Sequence, residues 1–159
     1  MRAEARMKEL GLDLEPAMKP VASYALTKQT GNLLFVSAHG PGVFKELAAY
    51  KPGPDGQLRV GRDLTVDEGK LFARLTALNC LRSVRVALGD LDRVKQVVKV
   101  VGMVNCSDDF GQHPQVIDGC SELLVQVFGE AGLHARTAVG MQGLPRGIPI
   151  DIEMILEVE

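Results

Sequence analysis

Between residues 148 and 158 every even position is apolar: Ile148, Ile150, Ile152, Met154, Leu156 and Val158. Asp151, Glu153 and Glu157 occupy odd positions. Side chains alternate across a strand, so this spacing predicts a strand with one core face and one polar face. The preceding stretch, His134 to Gln142, alternates in the other phase. Ala135, Thr137, Val139 and Met141 read as core, while His134, Arg136, Ala138, Gly140 and Gln142 face away. A helical period governs two other segments. Thr65 and Glu68 have capping-box spacing, and Leu71, Leu75, Leu78, Leu81, Val84 and Leu88 recur near 3.6 before Gly89. Pro114 suits the first turn of a second helix, with Ile117, Cys120, Leu124, Val127 and Phe128 as its stripe and an end near Gly129 or Gly132. Between the helices Val97, Val98, Val100, Val101 and Val104 form a near-continuous run, as in a strand buried on both faces.

The N-terminal half adds shorter elements. Arg2 to Leu12 predicts a short amphipathic helix, and residues 13–20, with Pro16 and Pro20, a connector. Tyr24 to Lys28 and Leu33 to Ser37 are predicted strands, and Leu58 to Val60 a third after the Pro54-Asp55-Gly56 turn. The order β-β-β-α-β-α-β-β implies an α+β domain over residues 20–159. Its six-stranded mixed sheet carries both long helices on one face, and residues 1–19 form an N-terminal helix and connector.

Gly143 to Gly147 reads as a hairpin turn between the last two strands. If Gln142 pairs with Gly147, Arg136 lies opposite Glu153 and diagonal to Asp151, all on the face away from the core. One reading of this trio is an exposed ion-pair ladder. The other is a guanidinium fork that grips a carboxylate beside an acid that positions water.

Composition narrows the chemistry. A formal net charge of −2 lacks the basic excess that attracts phosphate backbones, which argues against nucleic acid as partner. Cys80, Cys106 and Cys120 are odd in number and lack C-x-x-C spacing, so they read as buried thiols in a reducing, cytoplasmic compartment. His39, His113 and His134 lack metal-ligand spacing and read as surface or cleft histidines, with His134 sharing the face of Arg136. No apolar run reaches bilayer length.

Four segments in order resemble the Rid (YjgF) family: GNLLFVS at 31–37, LGDLDRV at 88–94, VNCSDDF at 104–110 and ARTAVGMQGLPRGIPIDIEMI at 135–155. The resemblance implies a chorismate-mutase-like fold and a homotrimer with ligand sites in the clefts between subunits. It also implies cofactor- and metal-free hydrolysis of 2-enamino and 2-imino acids to 2-oxo acids and ammonia. Arg136 aligns with the family's carboxylate-binding Arg, Tyr24 with its first-strand aromatic and Ser37 with the polar end of its second strand. Asp151 aligns with the Glu that positions water and is one methylene shorter, and Ala138 stands where the family often has Cys. Glu153 and His134 are further candidates from their place beside this set. A non-catalytic carboxylate-binding trimer and an endoribonuclease are the alternatives that the resemblance leaves open.

Overall fold

A computed structural model describes residues 2–16, 18–20 and 22–159. The elements are α1 (Ala3–Glu9), β1 (Thr27–Thr30), β2 (Leu33–His39), α2 (Val66–Leu88), β3 (Val94–Asn105), α3 (His113–Phe128), β4 (Ala135–Met141) and β5 (Ile150–Val158). The strands form one five-stranded mixed sheet in the order β1-β2-β5-β3-β4. This is the α+β, chorismate-mutase-like architecture expected, with one strand fewer.

Both helices form where the apolar period places them. Thr65 Oγ1 accepts from the Glu68 amide at 3.2 Å, and Glu68 Oε2 accepts from the Thr65 amide at 2.8 Å, which completes the capping box of α2. Gly89 ends that helix in the left-handed region, φ +79°. α2 is buried on nearly every side because α3 packs against it while the sheet lies beneath. At Gly119 the two helices approach so closely that a Cβ would lie 2.1 Å from the Lys70 carbonyl oxygen.

The inner sheet face under the helices is dry. Val100, Val104, Ile150, Ile152, Leu156 and Val158 have no exposed surface, as the alternation of the last strand predicts. Burying side chains of this size is worth about 1.5–3 kcal/mol each. The valine run of β3 departs from expectation. Bulges near Val94 and Val97 turn Val94, Val97 and Val100 inward, while Val98 stays exposed and Val101 half-exposed on faces that no helix covers.

Two predicted strands shift. The first begins at Thr27, not Tyr24, because ladder pairing stops at Val36: past that point β2 reaches the preceding segment through the Ser37 amide, bonded to the Leu26 carbonyl, and through Ser37 Oγ, bonded to the Ala25 carbonyl. Leu58 to Val60 makes only isolated bridges at Val60, to Leu64 and to Cys106, rather than a strand. The chain turns back at Gly61, and the Arg59 amide is taken up by Asp63 Oδ2.

α1 lies against α3. Its Glu4 carboxylate accepts from the Leu91 amide and pairs with Arg85. The connector is held from the core side by Arg82 of α2. This nearly buried guanidinium donates to the carbonyls of Asp13 and Glu15 and to Asn79 Oδ1, and it lies 4.6 Å over the Phe44 ring. Asn79 in turn donates to the Gly40 carbonyl, the structural role its place beside the α2 stripe suggests.

Candidate functional site

The last two strands do not form a hairpin. β5 pairs antiparallel with both β2 and β3, and β4 pairs parallel with β3 at the open edge of the sheet. Arg136 therefore lies across from Val100, whose own partner in β5 is Met154. Val100 and Met154 point under the helices, and Arg136 shares their side. Asp151 lies in the row of Met103 and Val139, on the outer face. The expected trio of Arg136, Asp151 and Glu153 on one face is thus not formed: β3 stands between Arg136 and the two acids, and the faces are opposite. The phase of β4 is reversed because its odd residues Ala135, Thr137 and Val139 are apolar enough to resemble a core set, yet they face outward.

Arg136 joins a chain of polar groups between β4 and α3. Its Nη1 donates to Asp118 Oδ1 at 2.8 Å and to Ser121 Oγ at 3.1 Å. Ser121 Oγ lies 3.0 Å from His134 Nε2, and His134 Nδ1 lies 2.7 Å from the Gly132 carbonyl. A carbonyl only accepts, so Nδ1 carries the proton and Nε2 accepts from the serine hydroxyl. Burial and then the nearby Arg136 charge lower the His134 pKa, the carbonyl bond acting against them. His134 and Arg136 share a face, as the alternation requires. The Arg136 side chain is 25% exposed, and among the described residues its Nε and Nη2 make no hydrogen bond. That edge of the fork suits a bidentate carboxylate.

The outer face carries the other predicted residues. A groove of about 320 Å3 is lined by Lys28, Phe35, Ser37, Lys99, Glu153 and Ile155, among others. Ser37 Oγ donates to the Ala25 carbonyl at 2.7 Å, which leaves its lone pairs free to accept. Asp151 is half-buried on the same face, two positions before Glu153, and does not line the groove. Burial raises its carboxyl pKa, with the Glu153 charge adding and the Ile152 amide and Arg146 opposing. Tyr24 lies in a bend before β1, 47% exposed.

One histidine differs from expectation. His39 is in the core, not on a surface or in a cleft. The irregular pairing after Val36 turns it inward, with Nδ1 2.5 Å from the Ser37 carbonyl and Nε2 2.7 Å from Ser83 Oγ. His113 sits 3.5 Å from Cys106 through Nε2, a base beside a thiol. The two are seven positions apart across a loop, so no strand or helix period links them, and sequence reading gave no sign of the pair. Among the described residues no group of three or more His, Cys, Asp or Glu is placed to hold a metal ion. Nor, among them, is any helix long and apolar enough to cross a membrane.

Known proteins are similar over nearly the whole chain. Protein TCP17 of Trypanosoma cruzi is 37% identical, with 99% of this chain and 94% of that protein covered. A crystal structure from Agrobacterium tumefaciens, of a protein of unknown function, is 38% identical with a TM-score of 0.85, covering 99% of this chain and 92% of that one. A putative endoribonuclease from Shewanella oneidensis is 28% identical with a TM-score of 0.89, covering 99% and 100%. The model of one family matches residues 4–147, and the chain belongs to that family, the YjgF/chorismate-mutase-like, putative endoribonuclease family.

Proposed function

We propose that this protein hydrolyses small 2-enamino or 2-imino acids to 2-oxo acids and ammonia, at sites completed between the subunits of a homotrimer. The observation that carries the reading is the open edge of the Arg136 fork, held at the rim of the sheet by Asp118 and Ser121. A guanidinium so held fixes a carboxylate in orientation as well as place. Within one chain Asp151 is out of its reach, so the reading requires a second copy to bring its outer face to the first copy's β4 edge. There the Arg136 of one copy holds the carboxylate. The Asp151 of the other, with Ser37 or Tyr24, orients water onto the imine carbon. Water adds to C=N, the nitrogen takes up protons, and the C–N bond breaks to release ammonia. A carboxyl whose pKa is raised toward the working range suits such proton traffic. A more distant protein of the same fold, E. coli TdcF, was solved with bound serine, itself a small carboxylate; at 18% identity and a TM-score of 0.58 it speaks for the fold alone.

A second reading has an observation of its own. Asp151 is one methylene shorter than Glu, and a misplacement of about 1 Å can cost a hundredfold in rate. The site then binds the carboxylate without turning it over.

The experiment generates 2-iminopropanoate or 2-iminobutanoate in situ and follows its loss with wild type, Arg136→Ala, Asp151→Asn and the two variants refolded together. Each single variant is expected to lose turnover. Random mixing leaves about one interface in four with both native groups, so activity should return to roughly a quarter of wild type. No recovery on mixing removes the split site. An inert wild type that gains activity in Asp151→Glu selects the binding module. Arg136→Ala that binds 2-oxobutanoate as tightly as wild type sinks both.

A further inference from the structure

Beyond the Arg136 cluster, at the far end of β4 from it, a cavity of about 410 Å3 is lined by Cys106, Ser107, Asp108, Phe110, His113 and Met141, among others. Cys106 Sγ and His113 Nε2 are 3.5 Å apart at its wall. Phe110 meets the imidazole edge-on, 5.3 Å between centroids at 88°, and so restrains the ring. Gly140 makes the approach possible: a Cβ there would lie 2.5 Å from Nε2 and 2.9 Å from Sγ. Cys80 and Cys120 have no such partner and no exposed surface.

We propose that Cys106 and His113 are a nucleophile–base pair that takes a small soft electrophile, an α,β-unsaturated carbonyl compound, covalently into this cavity. Sulfur forms a bond to the β carbon while the S–H proton passes to His113 Nε2. The electron pair of the C=C bond moves to the α carbon, which then takes the proton back from His113. The net change is addition of S–H across the double bond, with no further reactant. Activation of a thiol by an adjacent base within hydrogen-bond reach is the general pattern for such nucleophiles. Burial holds the resting thiol above its usual pKa, only partly offset by the Met141 amide and the Arg59 charge. Cys106 therefore rests as S–H and needs the acceptor that His113 provides.

The test treats the native protein with acrylamide, a small conjugate acceptor, and maps the adduct by peptide mass spectrometry. The adduct is expected at Cys106 ahead of Cys80 and Cys120. His113→Gln should slow it on the order of a hundredfold, a usual contribution of a placed base, while the melting temperature stays near that of wild type. Gly140→Ala, which drives a methyl between ring and thiol, should slow it as well. No adduct at Cys106, or a wild-type rate in His113→Gln, overturns the proposal. If His113→Gln does not fold, Gly140→Ala decides in the same way: a wild-type rate there is fatal. Neither variant touches Arg136 or Asp151, so the outcome is independent of the imine reading.

Discussion

The two faces of the sheet are both apolar in part, yet only one is closed. On the inner face Val100, Val104, Ile152 and Leu156 are wholly buried under α2 and α3. On the outer face Phe35 and Val139 are about 40% exposed and Val101, Met103 and Ile155 are half-buried, with Lys28, Lys99 and Glu153 among them. Alternation states which residues share a face. What decides which face becomes the core is where the helices land, and that depends on pairing order rather than on local pattern.

The sharpest way to break this contrast is a matched pair of truncations in β5. Ile152→Ala should cost about 2–5 kcal/mol in urea unfolding, the range for a fully buried aliphatic residue. Ile155→Ala, half-exposed, should cost about 1 kcal/mol or less within a subunit. A larger loss in Ile155→Ala that grows on dilution would show the outer face closed by another copy. Equal, dilution-independent losses would erase the distinction between the faces.

The inner face also holds a titratable group, and acid should weaken it. The His39 pKa is lowered by burial, with the Ser37 carbonyl bond working against this. The fold therefore favours neutral imidazole, and its contribution is complete above about pH 6.5. Below that the unfolded chain takes the proton more readily, so stability falls as pH falls until the folded group also titrates. The slope approaches about 1.4 kcal/mol per pH unit for one proton. His134 adds in the same direction, while the raised Asp151 carboxyl acts in the opposite sense at lower pH. Urea midpoints at pH 7.5 and 5.5 should converge in His39→Gln relative to wild type, and parallel curves would exclude His39 as the source.

The smallest expected stability effect is at the open edge. Asp118→Asn removes the carboxylate paired with a partly exposed Arg136, a loss of about 0–1 kcal/mol. If Arg136 holds carboxylates, the same change frees charge and should lower the Kd for 2-oxobutanoate severalfold by titration calorimetry. A weaker Kd would mean that Asp118 positions the fork more than it competes for it.

Much of the fold was legible. The capping box of α2, its Gly89 end, the stripe of α3 and the inner set of β5 all follow from spacing, because each is a local rule that packing reinforces. Arg136 and Asp151 could be picked out as site residues by resemblance, but not their separation. β4 carries two weakly apolar sets, so its phase is ambiguous, and nothing in residues 143–147 tells a hairpin from a crossing over the end of β3. The Cys106–His113 pair was illegible for a related reason: a glycine 34 positions after Cys106 admits it, and only tertiary structure brings the three together.

Arg82 sets how much of the N-terminus can be dispensed with. Its Nε and Nη2 donate to the main-chain oxygens of residues 13 and 15, so a chain beginning at residue 16 would retain the sheet and both long helices but leave a nearly buried cation with Asn79 Oδ1 as its remaining acceptor. Tolerance to truncation at that end is thus decided not by α1, which such a chain also lacks, but by a single side chain seventy residues away in sequence, which makes the connector part of the folding unit.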